Sequence, residues 1–205
     1  MSDQPNELDL FVGSMILVRP DEDRAAYEEE VENVSAVQDA LREQNIEVDL
    51  LSQPGTEVWE GGIETIGALY QLARLVSRLE RGGDIAEVIA DGPVLSEDLD
   101  PLVTDVWDEL FVTAYPHLLN LQGINSYFMP AEFDAPTWLP FEDENGEDDQ
   151  VYVGSSIHLQ RELAEIGPRL IAAGVKPQSV AYKCLETLAE AAAASVKCGM
   201  PLAVW

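Results

Sequence analysis

Between Arg81 and Arg161 the chain carries no lysine or arginine, while seventeen aspartates and glutamates fall in the same interval. A carboxylate with no cation in reach loses several kcal/mol on leaving water. These groups are therefore expected at the surface. Other parts of the chain differ. Residues 151–205 hold four acids against five bases and are nearly neutral, whereas Glu28, Glu29, Glu30 and Glu32 make the first helix acidic.

The formal charge of −28 on 205 residues is far beyond the ~2–8 units usual for a small domain. It excludes sequence-independent binding to nucleic acid, which needs lysines and arginines to displace counterions. It also argues against anionic membrane surfaces and polyphosphate substrates. Two explanations need no partner: adaptation to a salt-rich cell, in keeping with only three lysines, and simple solubility.

A length of 205 residues and a hydrophobic share of 46% suit a single folded domain with its own core. Residues 1–8 are expected to be disordered. The apolar run at 10–18 follows Asp3, Glu7 and Asp9 rather than the positive segment of a secretory signal. Nothing approaches the ~20 apolar residues of a membrane span, so a cytoplasmic location is expected. Cys184 and Cys198 fall on one expected helix over 178–197. Fourteen residues at helical rise hold them ~21 Å apart, beyond the ~7 Å reach of a disulfide, so both are expected as free, buried thiols.

The pattern predicts an α+β fold. A strand–helix–strand unit opens it: residues 10–18, a helix to about Gln44 with Tyr27, Val31, Val34, Val37 and Leu41 on one face, and the alternating run Ile46, Val48, Leu50. A second helix is expected over 63–80, ended by Gly82-Gly83, then a short helix over 102–111. A small central sheet follows at 125–129, 137–143 and 150–153. Asn145-Gly146 suits a hairpin turn and gives the hairpin over 141–153 an acidic tip. Two amphipathic helices close the chain, the first over 156–172 and the second after Pro177. The apolar tail 201–205 is expected to add an edge strand.

Candidate chemistry is sparse. His158 and Glu162, four apart on a helix, share a face as two metal ligands do. His117 would complete a two-histidine, one-carboxylate set, but nothing in the sequence brings it there. Ser155 and Ser156 precede a helix, where a hydroxyl serves as a cap, and they lack the G-x-S-x-G elbow. Gly61-Gly62 matches no phosphate loop and is ringed by Glu57, Glu60 and Glu64. Aligning Gly146 with the glycine of a calcium loop puts Phe141 and Tyr152 at ligand positions, so that match fails. No cofactor and no metal site is predicted.

The reading carried forward is a non-enzymatic acidic protein that sequesters or inhibits a basic protein partner. An acidic face steers the partner and aromatic anchors hold it. Immunity proteins, nuclease inhibitors and mimics of nucleic acid all use this physics. The expected surface comprises Asp98, Asp100, Asp105, Asp108 and Glu109 with Glu142, Asp143, Glu144, Glu147, Asp148 and Asp149. Trp107, Trp138, Tyr127 and Phe128 are the nearby aromatics, with Trp107 expected in the core. The alternatives are a small metal-assisted hydrolase using His158, Glu162 and His117, and a structural protein, with homodimerisation through the C-terminal helices open in each case.

Overall fold

Alternation governs the first strand, β1 (Leu8–Gly13): Leu8, Leu10 and Val12 are buried on one face while Asp9 and Phe11 turn to the other. The computed structural model describes residues 7–95, 99–142 and 148–205. Within them the order is β1, α1 (Arg24–Glu43), β2 (Glu57–Ile63), α2 (Ile66–Glu80), α3 (Ala86–Asp91), α4 (Pro101–Trp107) and α5 (Pro116–Leu119). Then follow β3 (Ser126–Met129), β4 (Thr137–Glu142), β5 (Asp148–Ser155), α6 (Ser156–Ala172), α7 (Val180–Cys198) and β6 (Leu202–Val204). The strands form one mixed sheet in the order β2-β1-β6-β3-β5-β4. Only the β3–β5 pair is parallel among these ladders. This is the α+β architecture the sequence predicts.

Each face of the sheet carries its own core. On one, α2, α6 and α7 pack over Leu10, Val12, Phe128, Tyr152 and Leu202. On the other, α1 and the segment after it cover Met129, Leu139 and Val153 with Val34, Leu41, Ile46 and Leu50. The near-neutral C-terminal quarter is explained by the first core. In α7, Ala181, Cys184, Leu185, Leu188, Ala191 and Ala192 all face inward.

Two expectations about strands are corrected. Residues 46–51 do not form the second strand, although their alternation is real: Ile46 and Leu50 are buried. Side chains take the backbone donors that a ladder would use. Gln38 Oε1 accepts from Leu50 N–H at 2.8 Å, and Asp49 Oδ1 from Leu51 and Ser52 N–H at 3.2 Å each. The strand partner of β1 is instead β2, hidden by Gly61-Gly62. A Cβ on Gly61 would lie 2.4 Å from the Trp59 ring, so glycine lets that indole lie along its own strand. The C-terminal tail is not an edge strand: β6 lies between β1 and β3, with all three residues buried. A wholly apolar strand suits a central position covered on both faces.

Capping sets several helix starts. Asp23 Oδ1 accepts from Ala25 and Ala26 N–H at 3.0 and 3.2 Å. Glu7, expected in the disordered start, reaches 58 residues along the chain to accept from Thr65 Oγ1–H at 2.9 Å, and also from Ile66 N–H. Glu7 and Leu8 thus have defined places, Leu8 in the sheet. Cys184 is buried and Cys198 exposed, and both are free, which corrects the expectation of two buried thiols.

Candidate functional site

The run of acids around α4 divides in two. Asp100 is buried, and its Oδ1 caps α4 by accepting from Leu102 N–H at 3.0 Å. Its Oδ2 accepts from Arg74 at 3.2 Å and Arg78 at 3.1 Å on α2. Burial works against its charge, but the Leu102 N–H and the two guanidiniums hold its carboxyl below the usual range. Asp105 pairs with Arg81 at 2.8 Å, and that guanidinium lies over the Phe111 ring at 3.9 Å. Asp100 and Asp105 thus brace α4 against α2. Asp108 and Glu109, past the end of α4, are exposed. Asp98, Asp143, Glu144 and Glu147 lie outside the described residues. So do the side chains of Glu142, Asp148 and Asp149, whose backbones close the β4–β5 ladder at Glu142 opposite Asp148 and Phe141 opposite Asp149.

The fold brings the end of α4 and the strands β4 and β5 to one cleft. A cleft of about 900 Å³ is lined by Trp107 and Glu109 on one side, Gln122 and Asn125 below, and Trp138 and Gln150 of the hairpin on the other. Trp138 is 39% exposed and meets the buried Tyr152 ring edge-on. Trp107 is half-buried and packed against the main core, as expected, with its Nε1–H donating to Leu119 O at 2.8 Å. The other nominated aromatics lie elsewhere. Phe128 is core, and Tyr127 faces the opposite side of the sheet against Trp205.

Cations are largely used up within the fold. Seven of the eight arginines form ion pairs, Arg24, Arg42, Arg74, Arg78, Arg81, Arg161 and Arg169. Along α1, Glu29, Glu32 and Glu43 are exposed with no ion pair to a cation among the described residues, while Glu28 and Asp39 pair with Arg24 and Arg42. The exposed side of α7 differs, balancing Lys183 and Lys197 against Glu186 and Glu190.

The histidines do meet, which no sequence signal indicated. His117 is fully buried, its ring 5.2 Å from that of His158. Its Nδ1 accepts from Ser155 N–H at 3.0 Å, leaving Nε2 buried without a hydrogen bond. Burial, aided by His158, pushes its pKa down to about 4. Both Glu162 oxygens are engaged at the start of α5, where Oε1 accepts from His117 N–H at 3.1 Å and Oε2 from Leu118 N–H at 2.8 Å. Burial raises its pKa to about 8 against the opposing effect of those two donors. A carboxyl group with both oxygens committed to backbone N–H donors is a structural anchor. Among the described residues no group of three or more His, Cys, Asp or Glu is arranged to hold a metal. The metal-assisted hydrolase loses its ligand set. Ser155 Oγ caps α6 by accepting from His158 N–H at 3.2 Å, which is the role read from its position.

Among the described residues no helix is long and apolar enough to cross a membrane. A family model described as "Putative DNA-mimic protein" matches residues 6–204. No curated protein and no solved structure matches the chain.

Proposed function

The chain belongs to the DNA-mimic family, and from that membership we propose that it captures a basic, nucleic-acid-binding protein by occupying the surface that protein turns toward phosphates. Duplex DNA presents one negative charge per ~1.7 Å of axis. A protein that competes for the same surface needs many exposed carboxylates that its own cations do not neutralise. The pairing of seven arginines inside a chain of charge −28 is the observation that carries the reading. Because those cations brace helices or pair locally, the remaining acids keep their outward field.

Asp108 and Glu109, together with the acids Glu142, Asp143, Glu144, Glu147, Asp148 and Asp149, are the residues we assign to the partner. Sequestration of the immunity or inhibitor type follows if the partner cannot hold nucleic acid while bound. A cytoplasmic setting belongs to the same proposal. The apolar sides of α6 and α7 are turned into the core, so the proposal does not call on a homodimer through them.

The test is competition. Immobilised chain is offered a lysate of its native host at low salt, alongside an equally acidic control protein, and the retained protein is eluted with high salt. The purified ligand is then bound to labelled duplex DNA and titrated with the chain. Displacement of DNA at a one-to-one ratio, weakening steeply with salt, is the expected result. Retention equal to the control, or a captured protein that keeps its DNA, would refute the reading.

A further inference from the structure

The cleft between α4 and the β4–β5 hairpin offers more than charge. One wall is the partly exposed indole of Trp138, set edge-on against Tyr152 with ring centroids 5.1 Å apart. Trp107 closes the other, fixed by its hydrogen bond to Leu119 O. Among the described lining residues Glu109 is the charged one, and Gln122 and Asn125 supply amides. Glu109 and Asn125 both hold φ at +57°, a left-handed conformation that costs a non-glycine residue energy and that tends to occur at ligand sites.

These groups together fit one ligand chemistry. A carboxylate alone accepts any cation. An exposed indole face adds attraction for a cation stacked on it, and neighbouring amide oxygens suit a planar fork of N–H donors. A guanidinium meets all three, whereas an ammonium is a compact, strongly hydrated point charge that meets only the first well. A phosphate would be repelled by Glu109 and by the field of the chain. Resting on the proposed capture of a basic partner, we infer that this cleft takes an arginine side chain of that partner, stacked on Trp138 and paired with Glu109. The arginine is the fixed anchor within a surface whose other attraction is diffuse.

Octaarginine and octalysine, equal in side-chain charge, separate the two contributions. Each is titrated into the full chain by calorimetry at low and at physiological salt. Octaarginine is expected to bind about tenfold tighter than octalysine. Trp138→Leu and Glu109→Gln should each bring octaarginine down to the affinity that the same variant has for octalysine. Glu109→Gln alters one exposed carboxylate at constant shape, so it remains decisive if Trp138→Leu disturbs the edge strand. Equal affinities in the unaltered chain, or a preference that survives Glu109→Gln, overturn the arginine site and leave the capture of a basic partner standing. If neither peptide binds even at low salt, that capture falls, and the arginine site with it.

Discussion

Glu162 joins α6 to the start of α5 through two backbone hydrogen bonds, and its removal isolates both donors. Buried N–H groups without acceptors cost about 1–3 kcal/mol each. Glu162→Ala should therefore destabilise the domain by roughly 3 kcal/mol in a urea melt, and Glu162→Gln, which keeps one acceptor oxygen, by less. His117 imposes a pH dependence. Its pKa is about 4 folded against ~6.5 unfolded, so the unfolded chain binds the extra proton and stability falls as pH drops through that window. Relative to His117→Asn, the unaltered protein should lose about 2 kcal/mol between pH 6.5 and 5. A constant difference between the two proteins would place the imidazole in a wetter site. At this scale little was legible beforehand. The i, i+4 spacing put His158 and Glu162 on one face, but only the short α5, which carries no periodic signal, brings His117 to them. The spacing suggested a metal, whereas the carboxylate is held by backbone donors that sequence does not display.

Helix ends explain where the element boundaries were readable. After α2, Gly83 N–H donates to Arg78 O at 2.8 Å with Gly82 at φ +70°, and the Gly-Gly pair announced that stop. After α6, Val175 N–H donates to Leu170 O at 3.0 Å with Gly174 at φ +100°. The same turn ends α4, where Leu110 N–H donates to Asp105 O at 2.8 Å, but Glu109 occupies the left-handed position. No glycine marked it, so the sequence ran this helix on to residue 111. Left-handed backbone costs a non-glycine residue ~1 kcal/mol. Glu109→Gly should raise stability by about that much, read as a higher urea midpoint at unchanged slope. It should also weaken capture of the basic partner, the opposite sign being the mark of a residue kept for binding. Strands follow a related logic. Alternation reported burial correctly at 46–51, but a ladder also needs a partner edge, and Gln38 and Asp49 satisfy those donors locally.

At the scale of the whole molecule the charge is uneven, and that bears on why it is there. Adaptation to salt or a need for solubility acidifies every exposed surface alike. Here the outer side of α7 balances Lys183 and Lys197 against Glu186 and Glu190, while α1 and the end of α4 expose acids in excess. The total was legible from composition; its separation into faces required the fold, because α6 and α7 are adjacent to the acidic hairpin in sequence yet pack on the sheet. The faces can be set against each other at equal charge. Glu186→Lys with Glu190→Lys, and Asp108→Lys with Glu109→Lys, change the net charge by the same amount at exposed positions. If a local surface meets the partner, the α4 pair should weaken capture about tenfold or more and the α7 pair only slightly, since screening limits exposed charges to ~10 Å at 0.1 M salt. Equal losses from both pairs, measured as dissociation constants at that salt, would mean that net charge alone attracts the partner and that the assigned surface is wrong.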